Sequence, residues 1–172
     1  WLVFMPGRAR WRCVACGRTE KSQDMSDQRT PDDVQRALDA LSTGIRVQVF
    51  EASTRTAQEA ADAIGTELGS IVKSLCFVVN DSPVVVLTAG DQRVDDRKLA
   101  AYYGVGRKQV KIADPETTIR VTGYAPGGVP PVGHATPIPV LIDASLGRFE
   151  TVYGAAGSSN AIFPVAFSRL VE

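Results

Sequence analysis

Residues 71 to 79, Ile-Val-Lys-Ser-Leu-Cys-Phe-Val-Val, are apolar at both odd and even positions, and a second apolar run, Val84 to Thr88, follows the turn Asn80-Asp81-Ser82-Pro83. A strand with one wet face alternates apolar and polar side chains, whereas a strand covered on both faces does not need to. The two runs therefore predict a hairpin at the centre of a sheet packed on both sides. Lys73 breaks the pattern, because it falls in phase with Ile71, Leu75, Phe77 and Val79 and leaves the strand on their face.

The surrounding segments supply the other layers. Thr30 can cap a helix that begins at Pro31, in which Val34, Ala37, Leu38 and Leu41 recur at spacings of three and four, and which Gly44 closes. Arg46 to Glu51 reads as a strand, and Thr56-Ala57-Gln58-Glu59 is a capping box that opens a helix with Ala60, Ala61, Ile64 and Leu68 inward. Asp95 caps a helix through Tyr103 with Gly104 as its stop, Gln109 to Ala113 is a strand, and Asp114-Pro115-Glu116 starts a short helix. Val140 to Asp143 is a strand, Thr151 to Gly154 and Ala161 to Phe163 form a closing strand pair, and Pro164 to Val171 a terminal helix. Irregular alternation of strands and helices with a hairpin predicts an α+β (mixed α/β) fold around a central mixed sheet with short flanking helices.

With 172 residues, 19 basic and 19 acidic, the chain fits one domain and lacks the excess positive charge of a protein that grips nucleic acid over a broad surface. Local contact with RNA stays open; DNA is not an expected partner, and neither is a membrane, since no apolar run reaches about 18 residues. Three cysteines do not make a disulfide framework, and a reducing cytoplasm is the simplest compartment. Residues 1–24 hold both tryptophans, Cys13, Cys16 and four arginines, begin with Trp1, and show no regular periodicity. Cys13 and Cys16 have the gap of a zinc knuckle but no second ligand pair. The segment reads as a non-native or disordered leader, with Met25 a plausible first residue and 25–172 the domain. No cofactor or metal is expected.

Two features carry chemistry. Lys73 either snorkels from a strand end or points into a cleft and meets an anion there. The loop from Gly123 to Gly133, Gly-Tyr-Ala-Pro-Gly-Gly-Val-Pro-Pro-Val-Gly, combines glycines that allow positive φ with prolines that limit freedom, so it is either an ordinary turn or a rigid display of backbone N–H groups for a phosphate or an oxyanion. The phosphate-loop pattern is absent. Cys76 reads as an inert core thiol, and His134, the sole histidine, as a surface loop residue before a general base. Chemistry in such a chain rests on positioning and electrostatics.

Ile71-Val72-Lys73-Ser74-Leu75, the glycine loop and Ile142-Asp143-Ala144 together resemble, in kind and order, the YbaK-type aminoacyl-tRNA deacylases, which are related to the editing domain of bacterial prolyl-tRNA synthetase. The resemblance covers about residues 34 to 171 and implies a partly barrel-like sheet. It also implies hydrolysis of the ester that joins a wrongly attached amino acid to the terminal adenosine of a tRNA. By resemblance Lys73 anchors the terminal nucleotide or its phosphate, and Gly127 and Gly128 offer N–H groups to the ester carbonyl. Water attacks, assisted by the free ribose hydroxyl. The resemblance extends the substrate site to Phe50, Ser74, Tyr124, Val129, Asp143, Ala155 and Gly157. The acceptor end of the tRNA is the partner, with a synthetase or elongation factor supplying further affinity.

Two positions depart from the subgroup that removes cysteine: Phe50 stands where a tyrosine is typical, and Ala155 lies near a typical serine. Alanine or another small residue is an equally reasonable substrate. The competing expectations are a non-catalytic module that binds an aminoacyl or nucleotide end, and a small-molecule phosphate binder.

Overall fold

The computed structural model describes residues 28–51 and 56–172, together with the backbone of residues 2–4. The expected leader over 1–24, its cysteine pair and Met25 lie outside the described residues, apart from that backbone. Among the described residues eight strands form one mixed sheet: β1 (Leu2–Phe4), β2 (Gln48–Val49), β3 (Ile71–Val79), β4 (Ser82–Ala89), β5 (Val110–Ile112), β6 (Val140–Ile142), β7 (Thr151–Ala155) and β8 (Ala161–Ala166). Seven follow in the order β1-β6-β4-β3-β7-β8-β2, and β5 pairs with β3 beside that path. The helices are α1 (Pro31–Ala40), α2 (Ala57–Ile64), α3 (Asp96–Tyr103), α4 (Pro115–Thr122) and α5 (Phe167–Leu170).

The β3–β4 hairpin sits at the centre, as its two-sided apolarity requires. Its register runs from Val72↔Ala89 to Val79↔Ser82, closed by Asn80 and Asp81 alone, both with positive φ (46° and 63°). That is a type I′ geometry, which matches the twist of the strands. The turn is thus tighter than Asn80-Asp81-Ser82-Pro83, and Pro83 belongs to β4 opposite Val78. β4 pairs β6 and β3 pairs β7 in parallel, while β7–β8, β8–β2, β3–β5 and β1–β6 are antiparallel.

The helix signals act where the sequence puts them. Thr56 Oγ1 accepts from Glu59 N (3.1 Å), Asp95 Oδ1 from Arg97 N (2.9 Å) and Asp114 Oδ1 from Thr117 N (2.7 Å), while Gly65, Gly104 and Gly123 end their helices in the left-handed region. Four boundaries differ. α1 stops at Ala40, before Gly44; the strand expected over 46–51 shrinks to β2; α2 ends at Ile64, so Leu68 falls in a separate 3₁₀ turn; and Pro164 continues β8 opposite Tyr153, leaving α5 a single turn.

Side chains divide into three clusters. The main core joins Val34 and Leu38 of α1 to Val72, Val85, Leu87, Tyr124, Val129, Phe163 and Val165. On the other face of β3, Phe77 and Val79 pack with Leu99 and Ala100 of α3, and Ile71 packs with Ala60 and Ala61 of α2. Lys73 lies on this second face, between the patch under α2 and the patch under α3.

Candidate active site

Pairing along one edge of β3 is interrupted. β7 pairs with Ile71 and Val72, β5 with Phe77 to Val79, and Ala113 N donates to the Cys76 carbonyl (2.9 Å). Residues 73 to 75 have no strand partner there among the described residues. A cavity of about 260 Å³ opens at this gap, with Lys73, Ser74 and Leu75 along one side and Gly127 and Val129 along another. Thr56, Ala57 and Ala60 at the start of α2 and Tyr153, Ala155, Ala161 and Ile162 of the β7–β8 pair complete it.

Lys73 is half-buried, and its ammonium donates to the Gln92 carbonyl in the turn that follows β4. Burial lowers its pKa from the ordinary lysine value; the nearby Asp91 charge opposes that and Arg93 adds to it. The ammonium is bound to a neutral carbonyl, so its charge remains uncompensated by a direct ion pair among the described residues. Cys76, on the same strand, is buried, and desolvation pushes its thiol pKa up, the opposite of an activated nucleophile.

The glycine loop is rigid because its ends and middle are tied separately. Arg29 N donates to the Gly123 carbonyl (2.9 Å) and Arg29 Nη1 to that of Gly133 (3.3 Å). The Tyr124 hydroxyl donates to Gly133 O (3.0 Å) and His134 Nε2 to Pro130 O (2.8 Å). Ala125-Pro126-Gly127-Gly128 is a β-turn with Pro at its second and Gly127 (φ 90°) at its third position, the requirement of a type II turn. Gly128 N donates to Ala125 O (3.0 Å), and the Gly128 carbonyl accepts from Gly157 N (2.9 Å).

These contacts sort the expected site residues. Lys73, Gly127, Ser74, Val129 and Ala155 all line this cavity. Gly128 does not offer a free amide, because its N–H closes the turn; Gly127 N has no such partner among the described residues. Tyr124 is fully buried and braces the loop from the core, so it is not a pocket wall. Gly157 packs against Thr30 at the start of α1, and Asp143 accepts from Ser145 N (2.8 Å) to cap the 3₁₀ turn 144–148. Phe50 packs against the patch that holds Ile71, Ala60 and Ile162 but is not itself among the residues lining the cavity. His134 is no surface residue: it is half-buried, and desolvation lowers its pKa.

Sequence reasoning passed over Thr56, Ala57, Ala60, Tyr153, Ala161 and Ile162. The capping box did locate the start of α2, yet nothing in it shows that this end faces the glycine loop. Among the described residues no three His, Cys, Asp or Glu side chains cluster as a metal site needs, and no helix is long and apolar enough to cross a membrane.

Known proteins give the same architecture. The chain is 35% identical over 127 residues to the uncharacterized protein YwhH of Bacillus subtilis, covering 73% of this chain and 79% of that one. A proline–tRNA ligase of Limosilactobacillus fermentum is 32% identical over 120 residues, 66% of this chain but 21% of the ligase. A crystal structure described as a candidate trans-editing enzyme for prolyl tRNA synthetase superposes with a TM-score of 0.77 at 39% identity, covering 87% of this chain and 92% of that one. The model of the aminoacyl-tRNA editing domain matches residues 51–172, and the chain belongs to that family.

Proposed function

We propose that the protein is a trans-editing deacylase that hydrolyses the ester of a mischarged aminoacyl-tRNA. The observation that carries this reading is that Lys73 and Gly127 line one and the same cavity. The ammonium holds the terminal nucleotide through its phosphate. The Gly127 N–H, central in the type II turn, donates to the ester carbonyl oxygen as it gains charge. Water adds to the carbonyl carbon, the bond to the ribose oxygen breaks, and the proton from water ends on that oxygen, relayed by the neighbouring ribose hydroxyl. An aminoacyl ester is already activated, so stabilising the oxyanion is the main task.

The cavity walls at Ala57, Ala60, Ala155, Ala161 and Ile162 are aliphatic, which supports a small apolar substrate side chain such as that of alanine. The balanced net charge suits a protein that holds only the acceptor end and works in the cytoplasm beside a synthetase or elongation factor. The test is release of amino acid from alanyl-, cysteinyl- and seryl-tRNA mischarged species. Release that Lys73→Ala abolishes without unfolding the protein supports the reading; saturable binding without release would instead make the protein a binding module.

A further inference from the structure

We propose that Asp91 and Arg148 are positioning residues for the Lys73 ammonium, acting through the Gln92 carbonyl. The proposal rests on the deacylase reading and concerns the support of that same site.

The turn Ala89-Gly90-Asp91-Gln92 is closed by Gln92 N donating to Ala89 O (2.9 Å), and its Gln92 carbonyl is the acceptor for Lys73. Gly90 lies so close to the 3₁₀ turn at 68–70 that a Cβ there would stand 2.1 Å from Leu68 O. Asp91 is held by Arg148, whose Nη2 donates to both carboxylate oxygens (2.7 and 2.9 Å). Arg148 has two further contacts: its Nε donates to Ser145 O (2.8 Å), and its guanidinium lies 5.1 Å from the centre of the Phe149 ring.

The Asp91 and Arg148 side chains are 34% and 46% exposed. An ion pair of that exposure contributes little to global stability. Its consequence is local: it fixes the carbonyl that takes one ammonium N–H and leaves the other two for a substrate anion. A small displacement of such a group costs a reaction that depends on alignment about tenfold or more.

The charge-neutral double variant Arg148→Met/Asp91→Asn tests this, with Asp91→Asn alone as the second variant should the double fail to fold. Three quantities are read: melting temperature, single-turnover release from mischarged tRNA, and the reductive methylation rate of Lys73 followed by peptide mass spectrometry. The expected result is near-native melting, release slowed about tenfold or more, and Lys73 methylated several-fold faster. Unchanged methylation overturns the proposal, as does faster methylation with release at the wild-type rate. If wild-type protein releases nothing yet the variants methylate faster, the deacylase reading falls while the hold on Lys73 stands.

Discussion

Gly128→Ala tests the spacing of the cavity mouth. A Cβ at Gly128 would stand 3.1 Å from the Gly157 carbonyl carbon, 3.1 Å from Ser158 N and 3.2 Å from Ser158 Cα, where ordinary contact begins at 3.4 Å. All three atoms are backbone, so no side chain can swing away. The two loops, joined by Gly157 N to Gly128 O at 2.9 Å, must separate by a few tenths of an ångström. Overpacking of this kind costs about 1–3 kcal/mol, a fall in melting temperature of about 2–4 °C per kcal/mol in a domain this size. On the proposed deacylase reading the same shift carries the Gly127 amide away from its place at the ester oxygen, and release should slow about tenfold. Gly104→Ala is the matched control. It has φ 65° with nothing within 4 Å of a Cβ, ends α3 away from the cavity, and should cost about 1–2 kcal/mol by backbone strain alone. Differential scanning fluorimetry and single-turnover deacylation read both. A Gly128→Ala protein that melts lower but deacylates as fast as Gly104→Ala would refute the link between loop spacing and catalysis.

Burial lowers the Lys73 pKa, so if the charged form binds substrate, release above buffer hydrolysis declines with rising pH before the ordinary lysine value is reached. Lys73→Arg, which keeps its charge, should lose that alkaline limb in a pH–rate profile. His134 titrates below an exposed histidine because it is desolvated. As pH falls, the unfolded chain takes up its proton first. Stability is therefore complete above the unfolded histidine value and lost between that value and the lower folded one. Urea midpoints at about pH 7.5 and about pH 5 should differ less in His134→Gln than in the wild type.

Local chemistry made much of the fold legible. Thr56, Asp95 and Asp114 accept the N–H bonds that their positions imply, and the apolarity of β3 on both faces placed it centrally in the sheet. The errors arose where tertiary contacts override local preference. Pro164 looks like a helix start, but a strand beside β7 tolerates it. Tyr124 sits among loop glycines and reads as a ligand, yet its ring is needed in the core and its hydroxyl in the loop. Gly128 could not be told from Gly127 by composition, because which amide closes a turn depends on the backbone angles of both neighbours. The α2 wall of the cavity was out of reach for the same reason: its contacts are between segments far apart in sequence.

Lys73 remains the residue on which the structural and functional readings part. A snorkelling lysine contributes through its stem, and replacing it with an apolar residue of similar length changes little or destabilises. In this fold position 73 lies on the face of β3 between the apolar patches under α2 and α3, β3 has no second strand partner from 73 to 75 among the described residues, and desolvation outweighs the nearby Asp91 charge. The ammonium therefore sits where the fold disfavours its charge. Lys73→Met keeps the length, removes that penalty and adds apolar contact with Leu75 and Ile71, against the loss of one bond to Gln92. Relief of a functional residue's strain is worth about 0.5–2 kcal/mol, so the melting temperature should rise by about 1–8 °C while deacylation disappears. A Lys73→Met protein that melts lower and still deacylates would make the lysine a structural residue and the gap in the sheet an accident of packing.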